Sequence, residues 1–349
     1  MPKERLDYLD MAKGVGIFLV ILGHIEYLEE SAMSFIYSFH MPLFFVIGGI
    51  LVYIKEKPVP QPKDSIKKRA YGTLIPYISF SLILLTMYVF EYFVQPERIT
   101  SRELLRRFVD AFTGYGLHTL WFLPVYFGAD SLFVLLRYCF GRKAHGEYKI
   151  SAAILILVFL SLGIRCRFRL EQYPVMEKPI LLQIFMNVLI VFLRVFLVLP
   201  FFWSGWHFAK TDCFHEKRGW NLGAGALLFT LGALMSRHIS ILDLHYLYIT
   251  PAHYVVAAAL CIGLLMILKA LPVSRMLSYL GRNSLVIMCT HAPMYVLYYI
   301  SLGMFFVRKF IPMTDPIFCV AITLMVCFAE IPIIWIFNHY FNYLLGRRL

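Results

Sequence analysis

Residues 13–49 read KGVGIFLVILGHIEYLEESAMSFIYSFHMPLFFVIGG. The stretch is apolar enough for two membrane-spanning helices joined by a short polar link, and each helix carries one histidine, His24 and His40. An ionisable side chain at the centre of a membrane helix costs roughly 2.5–3.5 kcal/mol on insertion scales, so each is a functional candidate. Lys13 precedes His24 by eleven residues. On a helix that separation is about 16 Å along the axis and about 20° in azimuth, so the two share a face at opposite depths. Structural roles are equally open: Lys13 can snorkel to an interface, and His24 can hydrogen-bond packed helices together. The second helix runs back across the bilayer, so His40, near its start, lies at the depth of His24. Two imidazoles at one depth suit a general base and an orienting partner, because neutral imidazole titrates near working pH.

The rest of the chain has the same character. It has 349 residues, 60% hydrophobic and 15% charged, where soluble domains carry about 25% charged residues. A span needs about 20 apolar residues. Windows at 9–27, 33–54, 70–94, 119–139, 150–165, 180–208, 219–236, 251–271, 281–301 and 314–339 therefore predict about ten spanning helices. The expected fold is a single all-α domain over 1–349, a polytopic transmembrane helix bundle around a water-accessible cavity. With the N-terminus inside, the inner connections hold 20 Lys and Arg and the outer ones 11, which predicts cytoplasmic termini. Two basic stretches, 98–107 and 165–169, fall on the outer side, and the first reads as an amphipathic interfacial helix. Pro58, Pro60 and Pro62 predict an extended loop over 55–69. The first apolar stretch carries Lys13 and His24 and lacks a small-residue cleavage site, so it reads as a span rather than a leader.

The formal charge of +12 does not predict a nucleic-acid partner. The basic residues sit at the ends of apolar runs, where they set topology and meet membrane lipids. The seven cysteines read as small packing residues. No pair of them, nor His238, Asp243, His245 and His253, has zinc spacing, so no metal is expected. The chain has no Ser-His-Asp pattern, P-loop or dinucleotide fingerprint. A small-residue run at 223–233 reads as helix packing.

RLDYLDMAKGVGIFLVILGH followed by FHMPLFFVIGG resembles the start of acyltransferase family 3. These membrane proteins transfer acyl groups, usually acetyl, to hydroxyls of envelope sugars. The family's first-span signature is a basic residue, ten residues and a histidine, met here by Lys13 and His24, with Lys in place of the commoner Arg. Phe39 to Phe45 match its F-H-x-P-L-F-F element. KKRAYGTLIPY resembles its cytoplasmic arginine element at Lys68 and Arg69, and TLWFLPVYF its W-F-L segment at Trp121. LGRNSLVIMCTH resembles a late G-x-N-S-L…H segment holding Asn283 and His291, and Glu330-Ile331-Pro332 a terminal acid–x–proline element. The chain is closest in tone to the compact members without a fused soluble domain.

The resemblance implies an O-acyltransferase in a bacterial plasma membrane. Its donor would be cytoplasmic acetyl-CoA or a similar acyl-CoA, and its acceptor a carbohydrate or lipid-linked sugar. On this reading His24 is either a general base or the group that accepts the acyl unit. Glu330 orients an imidazole or pairs with the deeply placed Arg194. Lys67, Lys68 and Arg69, with Lys13 and Arg194, are the candidates for the CoA phosphates; such clusters also serve topology or anionic lipid. Asp10 pairs with Lys13. Trp121 is a sugar-stacking platform or an aromatic-belt residue, and Asn283 and His291 line the acceptor site or tie helices together. Two other readings stay open: a secondary transporter or sugar exporter using the same polar residues as a path, and a non-catalytic membrane sensor or anchor.

Overall fold

The computed structural model describes residues 6–55, 61–95, 97–141, 145–168, 170, 179–211 and 217–347. Pro58, Pro60 and Cys213 lie outside these residues. The helices in chain order are α1 (Asp7–Gly23), α2 (Glu30–Tyr37), α3 (His40–Lys55), α4 (Pro62–Val94), α5 (Ser101–Phe112), α6 (Phe122–Phe140) and α7 (Gly146–Phe168). They continue with α8 (Ile180–Lys210), α9 (Arg218–Ser236), α10 (Pro251–Ala270), α11 (Arg275–Arg282), α12 (Ser284–Thr290), α13 (Val296–Arg308) and α14 (Asp315–His339). The chain is a polytopic, all-helical membrane protein. Among the described residues, eight helices are long and apolar enough to cross a bilayer, counting α2 and α3 as one.

Two of the ten expected spans differ from that pattern. α1 has 17 residues and stops at Gly23. The expected ninth span, 281–301, is broken into α11, α12 and α13. Pro293 lacks an N–H, and Tyr295 takes a left-handed conformation at φ 60°, which a bulky residue adopts only under strong tertiary constraint. The third span begins at Pro62 rather than at 70. Proline at the first helical position has its φ already set and no N–H to lose, so the predicted loop ends early and Lys67, Lys68 and Arg69 ride on α4. The interfacial helix expected over 98–107 is α5, whose start is capped by Thr100 accepting the Glu103 N–H at 3.2 Å.

The helices sort into two compact units. One comprises Met1–Lys57, Phe201–Asp243 and Ile249–Trp335; the other comprises Pro58–Pro200, Leu244–Tyr248 and Ile336–Leu349.

In the first unit α1 is the central element, packed along α11 and α12 and against α3 and α10. Its contact with α11 is backbone on backbone. A Cβ on Gly14 would lie 2.1 Å from the Leu277 oxygen, and one on Gly281 would lie 1.8 Å from the Asp10 oxygen. Neither carbonyl can retreat without moving its helix. Gly281→Leu is therefore expected to exceed the usual overpacking cost of about 1–3 kcal/mol, read as loss of monodisperse protein in detergent. A Gly281→Leu variant that purifies with an unchanged melting temperature would contradict this packing. α1 runs antiparallel to the α2–α3 segment: Gly16 lies against Leu43 and Phe44 of α3, and Gly23 against Ile36 and Tyr37 of α2. The start of α1 and the end of α3 thus share one end of the unit. Lys269, at the end of α10, joins them there over the ring of Tyr8 at 5.9 Å.

In the second unit α4 packs on α5 and α6, and α6 on α7. Phe80 of α4 stacks on Phe337 at 5.1 Å.

Candidate active site

Three histidines of the first unit sit where a helix begins or ends. His24 caps the C-terminus of α1, His40 opens α3 and His291 follows α12. Each turns its Nδ1 onto the carbonyl four residues back: His24 to Val20 at 2.6 Å, His40 to Ile36 at 2.8 Å, and His291 to Ile287 at 2.7 Å. A carbonyl only accepts, so each Nδ1 carries the proton and each neutral ring presents Nε2 as an acceptor. The rings of His24 and His291 meet edge to face with centroids 5.4 Å apart. Tyr37 links His40 to the same place: its ring packs on His40 at 4.9 Å and its hydroxyl donates to the Gly23 carbonyl at 3.1 Å. His24 is exposed, whereas His40 and His291 are buried. The buried Nε2 of His291 has no hydrogen-bond partner, a state that costs about 1–3 kcal/mol for a polar group. Irregular backbone at membrane depth is tolerated only where protein or a water-filled cavity surrounds it, and the break after α12 falls at this histidine.

His253 shows the contrast. Its Nδ1 accepts the Thr250 N–H at 2.9 Å and its Nε2 meets the Ser240 carbonyl at 2.8 Å. Both nitrogens are occupied in a capping arrangement at the start of α10.

Glu330 is fully buried on α14 and bonds the Thr290 hydroxyl at 2.7 Å. The imidazole of His24 is held by a backbone carbonyl, and the buried acid instead holds the residue beside His291. Thr290 was not singled out in the sequence; its signal is a polar residue next to a histidine inside an apolar run. Lys13 pairs with Asp10 at 3.0 Å, as the spacing predicts, at the end of α1 away from His24. Because α1 is one unbroken helix between them, the separation of about 16 Å stands. Asn283 donates to the Tyr279 carbonyl at 2.9 Å at the junction of α11 and α12.

Trp121, Arg194 and Lys67 to Arg69 belong to the second unit. Arg194 is fully buried. Its Nε and Nη2 donate to the His245 carbonyl at 3.1 and 2.6 Å, and its Nη1 to the Tyr115 carbonyl at 3.1 Å. The guanidinium also lies over the rings of Tyr115 at 4.5 Å and Trp121 at 5.3 Å. Trp121 meets the His245 ring at 5.9 Å. Burial, and then the Arg194 charge, push the pKa of His245 down to about 3, so this loop imidazole stays neutral. Lys67 and Lys68 are exposed on α4, while Arg69 is half-buried and ion-paired with Asp130 of α6 at 2.8 Å. Asp130 was missed in the sequence, although an acid inside an apolar window is itself a signal. Among the described residues no group of three or more His, Cys, Asp or Glu is arranged to hold a metal ion.

A polytopic helical membrane protein with base-competent imidazoles at its helix breaks is equipped for proton transfer or nucleophilic chemistry inside the membrane region. The acyltransferase domain of family 3 matches residues 6–336, nearly the whole chain, and the chain belongs to that family. It is a membrane acyltransferase. No curated protein and no solved structure matches it.

Proposed function

We propose that the protein moves an acetyl or similar acyl group from acyl-CoA to a hydroxyl of an envelope carbohydrate or lipid-linked sugar, with His24 as general base. The observation that carries this reading is the fixed tautomer of an accessible imidazole: Nδ1–H on the Val20 carbonyl leaves Nε2 to take a proton. The acceptor hydroxyl gives its proton to Nε2 as its oxygen attacks the thioester carbon. The carbon–sulfur bond breaks, and the departing thiolate recovers the proton. The pantetheine arm covers the roughly 16 Å between the Lys13 and His24 ends of α1. Exposed Lys67 and Lys68 are candidates for the phosphates, and the membrane is the bacterial plasma membrane.

Donor binding is tested by thermal stabilisation of the detergent-purified protein. A ligand at 100 times its Kd stabilises the folded state by about 2.7 kcal/mol, so acetyl-CoA and free CoA are expected to raise the melting temperature and ATP far less. The Lys67→Ala/Lys68→Ala double variant is expected to weaken the shift. Arg69 is left in place because it is ion-paired with Asp130 inside the second unit. No CoA-dependent shift over a wide concentration range, together with sugar flux in proteoliposomes lacking acetyl-CoA, would replace this reading by transport.

A further inference from the structure

The last two turns of α8, within the first unit, carry Trp203, Trp206, His207 and Lys210 at the spacing i, i+3, i+4, i+7, which is one helix face. The two indoles are stacked, with ring centroids 5.1 Å apart and planes 12° from parallel. Trp206 is the buried layer, backed edge-on by Tyr53 of α3 at 5.9 Å. Trp203 is the half-buried outer layer, with the exposed His207 beside it at 5.8 Å. The exposed Lys210 reaches over the Trp206 ring, its Nζ 5.5 Å from the centroid. The backbone beneath is clamped. A Cβ on Gly205 would lie 2.0 Å from the Val46 oxygen, and one on Gly49 would lie 2.0 Å from the Phe202 oxygen. The cluster is thus a rigid π surface edged by the Lys210 ammonium and the His207 imidazole.

Its position matters as much as its chemistry. Tyr53 is near the end of α3, and α3 runs antiparallel to α1, so the cluster lies at the Lys13 end of the unit and away from His24. A flat aromatic surface with a cationic rim at that end suits an adenine base followed by phosphates.

We propose that Trp203, His207 and Lys210 form the subsite for the adenosine 3′-phosphate end of the acyl-CoA donor. Trp203 stacks on the adenine, and Lys210 with His207 meets the phosphate. This rests on the acyl-CoA reading above, and it adds the part of the donor that reacts with nothing. Binding energy from such a remote group is used to place the thioester.

The test compares three donors on the full chain in nanodiscs of zwitterionic lipid: acetyl-CoA, acetyl-dephospho-CoA and S-acetylpantetheine, which lacks the nucleotide. Trp203→Ala is expected to lower kcat/KM for acetyl-CoA by about 5- to 150-fold, the range of base–aromatic stacking, and to leave S-acetylpantetheine unchanged. Trp203→Phe should lose less. Lys210→Ala should bring acetyl-CoA down to the level of acetyl-dephospho-CoA. An equal fall for all three donors in the Trp203 variants would make the cluster an interfacial anchor and overturn the proposal, as would no fall for any. A Lys210 effect seen only after anionic lipid is added would assign that cation to a lipid headgroup and overturn its phosphate role. Wild-type protein using S-acetylpantetheine as well as acetyl-CoA would remove the platform alone. Wild-type protein using none of the three would remove the acyl-CoA reading and the platform with it.

Discussion

His24→Ala is expected to lower acyl transfer by about 100- to 10,000-fold, the usual contribution of a positioned acid–base group, while the protein still folds and still binds acetyl-CoA. The physical reason for the second half is local. His24 lies beyond the last turn of α1, is exposed, and its side chain makes one hydrogen bond, to a carbonyl of that turn. Removing the ring returns the Val20 carbonyl to a helix end, where four carbonyls already lack intrahelical partners. The backbone-on-backbone contacts of α1, Gly14 with Leu277 and Asp10 with Gly281, lie in the first half of the helix. His24→Gln should be equally inactive, because an amide has no basic nitrogen. The measurements are transfer of labelled acetyl to acceptor and the acetyl-CoA-dependent melting shift, on the same preparations. Wild-type transfer by His24→Ala would end the assignment of the base. Quenching the reaction and weighing the intact protein separates the two chemistries: an acetyl adduct on wild type that His24→Ala lacks would make His24 the acyl acceptor.

Arg194→Leu is expected to destabilise the protein by about 3 kcal/mol or more, since hydrogen bonds to charged groups contribute about 1.5–3 kcal/mol each and two carbonyls lose their guanidinium donors. The side chain is fully buried and its three bonds tie the segment before α6 to the loop before α10, at Tyr115 and His245. Arg194→Lys should recover only part of the loss. An ammonium lacks the planar fork that serves both carbonyls at once, and it stacks less well on Tyr115 and Trp121. The readouts are the melting temperature and the monodisperse fraction in detergent, beside the acetyl-CoA shift. If Arg194→Lys melts like wild type but loses the CoA-dependent shift, the residue is a phosphate ligand and the clamp reading fails.

Parts of the site were legible before any coordinates. His24, His40 and Lys13 stand out because an ionisable residue in an apolar run is expensive wherever the run is placed. The Lys13–Asp10 pair was legible because it is three residues long and helical. The ring bonds of His24, His40 and His291 to carbonyls four residues back are also local, but they depend on where each helix stops. That was not readable: the expected windows ran through Gly23, Ser38 and Thr290. The break in the expected ninth span had a local signal, Pro293 two residues after His291, but the apolar runs on either side fill a whole window, and apolarity sets burial in lipid without setting backbone direction.

What the sequence determined by itself is membrane residence, helical class and family. Each follows from quantities that add up along the chain, such as transfer free energy per residue and motif order. Only the tertiary structure decided which polar groups meet. The pairings of His24 with His291, Glu330 with Thr290, and Arg194 with the carbonyl of His245 join residues far apart in sequence. They are set by backbone crossings such as Gly14 against Leu277, and a crossing depends on the shape of two helix surfaces together, which no single stretch of sequence contains.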